Sequence, residues 1–515
     1  MTQGQRILLN TAASYARTVV SIALGLLSGR WILAALGVDD VGLFGAVGAS
    51  MFFLQFFNNV LAGAVARFYA YALGSAGTGT GDGTSGDVSA WFNAAVRIHF
   101  VLAFAIALAV YPVALHALRH WLNVPPERMA AAIAVLRLAV AGSVVSMCAA
   151  PWLAMYTARQ WIAELSFFQL LQSIALAAGS WLLLGAGGDR LVLYAVLSVV
   201  VYSAIPVVQA VRARFAFREC RLARPLFPDW KRTAVFFSYA GWNLFGSFMS
   251  IAQGQGMALL IKRHLPLASN AAFSYAGQVT SHGNTLGQAL SNAMAPAITT
   301  FEGSGDRERA VALSFRACKF CTILLLVVVV PLGLEIGPVV ELWLKSPPPG
   351  TADLCILLFT ALFFRNMTLG QTMAVSASGK IAAFQAAVGT LLGCSLPVAW
   401  LFMRAGGGLL SVGYATAVAS FVGAAVRTWF GWKIVGMSPA DWVKLVAVPC
   451  CAVAAAGLGA GCAVVRLLDP SVSRIFATTA ASVAAMSVSS WMFLEKDERA
   501  WVAAQFSAFR RRVLP

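Results

Sequence analysis

The chain has 515 residues, of which 59% are hydrophobic and only 11% charged. A soluble domain carries roughly a quarter charged residues, so this sequence has too few polar groups to cover a water-soluble globule. The composition excludes a secreted disulfide scaffold, a disordered chain and a soluble enzyme on a small anchor, and predicts an all-α polytopic membrane protein. The net charge of +17, from 37 Lys and Arg against 20 Asp and Glu, fits the basic loops of membrane proteins better than a nucleic-acid partner.

An apolar stretch of about 20 residues spans a bilayer as a helix. Fourteen are predicted in chain order: 8–36, 41–73, 90–118, 129–157, 161–187, 190–212, 233–261, 270–300, 317–343, 351–376, 381–403, 409–430, 443–465 and 474–494. The longest connections are a Gly/Ser/Thr-rich loop at 74–89 and the strongly basic 213–232. Neither could hold a catalytic domain, so no enzyme is expected. The segment Met1 to Arg6 is short and polar, and no cleavable signal peptide is expected. With the N-terminus inside, the connections divide 22 basic residues to the inner side and 9 to the outer. That asymmetry predicts cytoplasmic termini.

The chain looks doubled. Residues 37–74 run through Phe44, Gln55, Asn58, Asn59 and Ala62 to a Gly/Ser turn, and 266–305 run through Phe273, Gln278, Asn284, Asn292 and Ala293 to another. Six helices per half make the halves parallel, related by an axis along the membrane normal. The expected organisation is an N-terminal six-helix bundle (1–212), a basic cytoplasmic linker (213–232), a second six-helix bundle (233–430), and two extra helices with a basic tail (431–515). Two such bundles imply alternating access to a central cavity.

With the 31 basic residues of the connections and span edges set aside, six of the 37 remain within spans: Arg17, Arg30, Arg67, Arg97, Arg137 and Arg365. Acids there are few: Glu164, Glu335 and Glu341, all nearer helix ends. A centred Arg costs at least roughly 2.5–3.5 kcal/mol to insert, so these cations predict a hydrated cavity for an anionic passenger. Arg67 and Arg30 are close enough to helix ends to snorkel, leaving Arg17, Arg97, Arg137 and Arg365 as candidate cavity cations. Asn10, Ser14, Arg17, Ser21, Gly25 and Ser28 form one helical stripe. Asn58, Asn59, Asn243, Gln278, His282, Gln288 and Asn292 are the candidate polar lining, with helix–helix hydrogen bonding as the alternative use of such residues. Gly25–Gly29 and Gly283–Gly287 read as close packing.

Other candidates fail on chemistry. His116 and His120 are four apart but lack a third ligand, so no metal is expected. Asp39 and Asp40 lie where a membrane glycosyltransferase would place an acid, yet no large outer domain accompanies them, and Asp40 is expected to cap the second helix. The nine cysteines, including the Cys318-Lys-Phe-Cys321 pair, behave as small apolar residues. No cofactor is expected.

Several stretches carry a resemblance. Ser28-Gly-Arg-Trp-Ile-Leu-Ala-Ala-Leu-Gly-Val-Asp-Asp-Val-Gly-Leu-Phe44 followed by Ala66-Arg67-Phe68, then Ser238-Tyr-Ala-Gly-Trp-Asn-Leu-Phe-Gly-Ser247 with Gly254-Gln-Gly256, Leu342-Trp343-Leu344 and Ala377-Ser-Gly-Lys-Ile381, resemble bacterial polysaccharide transporters. These are the lipopolysaccharide and O-antigen flippase-like branch of the multidrug/oligosaccharidyl-lipid/polysaccharide exporter superfamily. The resemblance covers most of 1–430. It implies a bacterial inner-membrane protein that flips a polyprenyl-pyrophosphate-linked oligosaccharide to the outer leaflet, beside the polymerase and glycosyltransferases of the same pathway. No mid-span carboxylate is present for a coupling ion. The competing reading is a cation-driven multidrug exporter of the same fold, which would want such carboxylates for cationic drugs.

Overall fold

The computed structural model describes residues 3–50, 52–78, 88–120, 124–222, 230–495 and 498–499. The Arg-rich end of the tail and most of the loop at 74–89 lie outside them. The described chain is almost entirely helical, and two compact units divide it: Leu8–Gly241 with Gly303–Gly305, and Met1–Ile7 with Trp242–Glu302 and Asp306–Pro515. They are called here the N-terminal and C-terminal units.

The N-terminal unit is built from α1 (Gln3–Ser50), α2 (Phe52–Thr78), α3 (Val88–His120), α4 (Met129–Ala158), α5 (Ile162–Leu182), α6 (Arg190–Ala216) and the first turns of α7 (Trp230–His264). Helix α1 is interrupted at Gly37, whose φ of 76° and ψ of 173° are non-helical. That region is accessible essentially only to glycine, and other residues pay about 1–3 kcal/mol to enter it. Gly37→Ala is therefore expected to lower the melting temperature of the purified protein by that much stability. An unchanged melting curve would show that the break does not need glycine.

The C-terminal unit continues with α8 (Leu267–Gly283), α9 (Thr285–Gly303), α10 (Arg307–Leu334), α11 (Ile336–Leu344), α12 (Thr351–Asn366), α13 (Leu369–Ser378), α14 (Ala382–Arg404), α15 (Leu410–Phe430), α16 (Pro439–Trp442), α17 (Val448–Leu467) and α18 (Val472–Met492). The last two helices pack on each other and on α10, so they lie in the same unit as the second bundle. A buried seam of Leu326, Val330, Val453 and Met486 seals that contact.

Among the described residues, eleven helical stretches are long and apolar enough to cross a membrane, or twelve if the bent pair α12–α13 is one span. This is a multi-pass membrane protein. The fourteen predicted stretches exceed that number by 41–73 and 270–300. Both are helical, but α2 carries Gln55, Asn58, Asn59 and Arg67, and the second is broken between α8 and α9 at Asn284. Breaks also fall at Glu335, between α10 and α11, and at Met367 and Thr368, where α12 and α13 are bent by 43°.

Ion pairs sit at helix ends. In the N-terminal unit, Arg128 pairs with Asp40 and, at 3.0 Å, with Asp189. Asp189 also caps α6 by accepting from the backbone N–H groups of Leu191 and Val192. The expected cap by Asp40 is corrected: it is a buried partner of Arg128 inside a continuing helix, because α1 resumes after Gly37. Arg159 pairs with Glu219, and Arg212 with Glu164 at 3.3 Å. In the C-terminal unit, Arg474 pairs with Glu335 at 2.8 Å, Lys319 with Glu498 at 2.5 Å and Arg307 with Glu302 at 3.1 Å. Every pair joins groups that the charge asymmetry places on one side of the membrane.

Candidate functional site

Four helices of the N-terminal unit each turn one stripe towards a common space. On α4 the stripe is Val135, Ala139, Gly142, Ser146, Ala150, Leu153 and Thr157, at steps of three and four, and its small side chains leave room. Gln55, Asn58 and Asn59 face the same space from α2, Gln169 and Gln172 from α5, and Ser198, Tyr202 and Gln209 from α6. The resulting cavity holds about 760 Å³, within the 300–1,000 Å³ of ligand sites.

Its chemistry is one-sided. Among the described residues, the polar groups of the wall are amides and hydroxyls, none is Asp, Glu, Lys or Arg, and the rest of the lining is apolar. At the wall, Asn58 Oδ1 and Gln209 Nε2 are sealed from the space with no hydrogen-bond partner, at a cost of about 1–3 kcal/mol each. The amides that a passenger would meet are those exposed to the space, Gln55 and Asn59 among them. Amides both donate and accept and suit a neutral, hydroxyl-rich passenger.

The sequence-predicted residues are distributed differently from one another. Asn58 and Asn59 stand in the cavity wall. Arg17, Arg97 and Arg137 belong to the same unit but do not line that cavity. Arg17 is half-buried, donating from Nη2 to Thr18 Oγ1 at 3.3 Å, with its Nε unpartnered. Its stripe serves as interhelical contact: Asn10 Nδ2 donates to the Gln160 carbonyl, Asn10 Oδ1 accepts from the Ala163 N–H, and Ser21 bonds Ser173 at 2.9 Å. Arg97 turns Nε to the Asn93 carbonyl at 3.1 Å, and Arg137 reaches the Tyr111 hydroxyl at 3.3 Å. Arg67 does not simply snorkel: its guanidinium lies 4.9 Å from the Phe68 and Tyr239 rings and 5.2 Å from that of Tyr71.

In the C-terminal unit, Asn243 accepts from Gln385 Nε2 at 3.1 Å, and Gln253 donates to Ser395 at 2.9 Å, so α7 and α14 are joined by amides. Gln278, His282, Gln288 and Asn292 are exposed on α8 and α9, the last two hydrogen-bonded to each other at 3.1 Å. Arg365 is exposed in the last turn of α12. Gly283 and Gly287 pack closely, against Val329 and the Cys321 carbonyl respectively, whereas Gly25 and Gly29 meet nothing within 4 Å. That corrects the close-packing reading for the first pair.

Two arrangements went unseen in the sequence. The small-residue stripe of α4 with the glutamines of α5 and α6 was legible as a 3.6-residue period, but only small residues and amides mark it. Arg427 counts with the inner connections although it lies inside the predicted span 409–430. The helical backbone runs on past Phe430 to Val435, and Arg427 is only 7% exposed.

Neither thiols nor histidines form a reactive centre. All nine cysteines are free. Cys318 donates to Gln371 Oε1 and accepts from the Gly370 N–H, both at 3.1 Å, while Cys321 donates to the Gly287 carbonyl. Burial pushes the Cys220 thiol up to about 12, far from a reactive thiolate. Among the described residues no group of three or more His, Cys, Asp or Glu could hold a metal ion.

No protein-family model matches the chain, and comparison with curated proteins finds no match. Solved structures do match in shape. A point mutant of a MATE protein superposes with a TM-score of 0.71 at 14% identity, covering 86% of this chain and 98% of its own. An outward-facing multidrug resistance MATE family transporter of the MOP superfamily gives 0.69 at 15%, covering 84% and 96%. A MOP superfamily transporter from Pyrococcus furiosus, described as having a binding pocket of reverse polarity, gives 0.70 at 14%, covering 84% and 96%. The fold is that of the MATE transporters of the MOP superfamily.

Proposed function

We propose that this protein is a transporter, not an enzyme, and that it works by alternating access. Its passenger on this reading is a polyprenyl-pyrophosphate-linked oligosaccharide, flipped from the inner to the outer leaflet of a bacterial inner membrane for surface polysaccharide synthesis. The observation that carries the reading is the amide- and hydroxyl-lined cavity without a carboxylate. Glycan hydroxyls match Gln55, Asn58, Asn59, Gln169 and Gln172, whereas a cationic drug would be desolvated there without a counter-charge. The pyrophosphate is assigned to arginines off the cavity wall, Arg17, Arg97, Arg137 and above all Arg365, because a guanidinium fork suits phosphate oxygens. Asn243, Gln278, His282, Gln288 and Asn292 are kept as secondary polar contacts. The proposed topology has fourteen spans, with α2 and α8–α9 as the two polar ones, both termini cytoplasmic, and the pathway's polymerase and glycosyltransferases as partners.

The second reading, a cation-coupled multidrug exporter, is favoured by the fold neighbours, one of which is a multidrug resistance transporter. Reconstituted vesicles separate the two. Vesicles carrying the protein are expected to move a fluorescent lipid-linked oligosaccharide between leaflets and to leave ethidium untouched. Replacing both Gln169 and Gln172 with Leu is expected to reduce glycan-lipid flipping by about five- to 150-fold without changing insertion, since two polar contacts at about 0.5–1.5 kcal/mol each are worth about 1–3 kcal/mol together. Ethidium efflux without glycan-lipid movement would replace the first reading by the second.

A further inference from the structure

We propose that the basic end of α10 carries a site for the phosphate of an acidic lipid headgroup, and that the chain's own segment after α18 is the latch that fills it. Phe315, Arg316 and Lys319 share one face of α10 and, with Leu445 of the turn Val443–Ala447, wall a pocket that Glu495 and Glu498 close. The pocket's two acids come from the segment after α18 and its two cations from α10. Glu498 and Lys319 are each 3% exposed. The Glu498 carboxylate accepts from Lys319 Nζ at 2.5 Å and from the Glu495 N–H at 2.9 Å. Arg316 Nε stands 3.9 Å from it, beyond hydrogen-bond reach, and a space of about 70 Å³ remains in the pocket. The carboxylate thus engages one cation, does not reach the second and leaves the place part-filled.

The depth of the pocket names the ligand. Arg307, Arg309, Arg316 and Lys319 crowd the first turns of α10, and no charge follows Lys319 in that helix up to Leu334. Such a boundary between charged and apolar turns is headgroup level, where basic pockets between helices hold acidic lipids. Lys and Arg only donate, and phosphate oxygens accept charge-assisted bonds from both. The segment is also built to let go. Among the described residues its other hydrogen bonds stay within it or return to the end of α18: the Arg499 N–H donates to the Glu495 carbonyl and Arg499 Nη2 to the Met492 carbonyl, both at 2.9 Å. The pair with Lys319 is therefore the polar tie to α10. A buried ion pair returns about what its desolvation costs, so a second anion on the same cations competes with it on even terms. Glu335, held in mid-chain between α10 and α11, has no such freedom. The inference does not depend on what the protein transports.

The test uses the full chain in neutral detergent, with trypsin cleavage after Arg499 reporting release of the segment and native mass spectrometry counting retained phosphatidylglycerol. Glu498→Gln and Lys319→Met are each expected to speed cleavage by about tenfold, because cleavage of an opened segment tracks its open population. On lipid the two variants part. Glu498→Gln uncovers both cations and is expected to retain more phosphatidylglycerol than the wild type, whereas Lys319→Met is expected to retain less. A pair that only holds the fold together would move both variants the same way. If Lys319→Met does not fold, Lys319→Met combined with Glu498→Gln strands no charge and carries the same expected loss of lipid. In the wild type, phosphatidylglycerol is expected to speed cleavage towards the rate of Glu498→Gln, and phosphatidylcholine to leave it unchanged. Equal lipid retention in the two single variants, or wild-type cleavage that phosphatidylglycerol does not alter, would overturn the latch. The same acceleration by inorganic phosphate without lipid would overturn the headgroup as the ligand and put a soluble phosphate in its place.

Discussion

Arg474→Met is expected to cost the protein about 3–5 kcal/mol, the usual penalty for stranding one member of a buried ion pair. Glu335 is 1% exposed and takes three hydrogen bonds: from Arg474 Nε at 2.9 Å, from Arg474 Nη2 at 2.8 Å and from the Thr478 hydroxyl at 2.9 Å. The carboxylate stands at the break between α10 and α11, and its partners are both on α18, so the pair fixes the start of α18 to that break. Removing the arginine leaves a carboxylate that can neither reach water nor find another cation. The double variant Glu335→Gln with Arg474→Met is expected to recover most of the loss, because the buried charge goes with its partner. Thermal melting of both variants in detergent reads the difference, and equal melting of the single variant and wild type would show that the pair contributes nothing.

Gly370→Ala is the second large effect. A Cβ at that position would lie 1.9 Å from the Ser314 carbonyl oxygen and 2.8 Å from Cys318 Sγ. The obstacle is main chain, so no rotamer change relieves it, and α13 must move off α10. Overpacking of a filled interior costs about 1–3 kcal/mol where side chains can yield, and here the expectation is at the upper end or above it. The same shift would break the Gly370 N–H bond to Cys318. Gly337→Ala in α11, where nothing lies within 4 Å, is the matched control and is expected to be neutral or slightly stabilising. Faster proteolysis of Gly370→Ala relative to Gly337→Ala checks the comparison; equal rates would mean that α10 and α13 are not packed as closely as described.

Much of the fold was legible in the sequence, because hydropathy over about 20 residues is a property that one residue hardly alters. For the same reason the windows passed over Asn284, Glu335 and the Met367–Thr368 step, each a local break that an average conceals. The polar spans were located but not their use. Counting charges within spans found Arg17, Arg97, Arg137 and Arg365, yet the direction of a side chain depends on helix rotation and on what packs against it. Arg97 turns to the Asn93 carbonyl of its own helix, Arg137 to a tyrosine, and neither direction follows from hydropathy. Asn58 and Asn243 are alike candidates for the polar lining, but one faces a cavity while the other accepts from Gln385. Arg427 lies within the predicted span 409–430 but near its inner end, where a charge reads as part of the connection and its burial does not show in hydropathy.

The ion pairs described above gather at the helix ends of each unit and leave the middles to amides and small residues. Each unit is in effect laced at its two rims, and the laces differ in their exposure to water. The Arg128 side chain is 37% exposed, as is that of Arg159, whereas Arg474 is at 9% and Lys319 at 4%. Electrolyte screens charge over about 10 Å at 0.1 M, and chiefly where water reaches. Rising salt therefore slackens the exposed pairs, Arg128 and Arg159 in the N-terminal unit and Arg307–Glu302 in the C-terminal unit, whose arginine is 50% exposed, and leaves Arg474–Glu335 and Lys319–Glu498 tight. Ionic strength becomes a handle that loosens the outer lacing of the protein while its two buried fastenings hold.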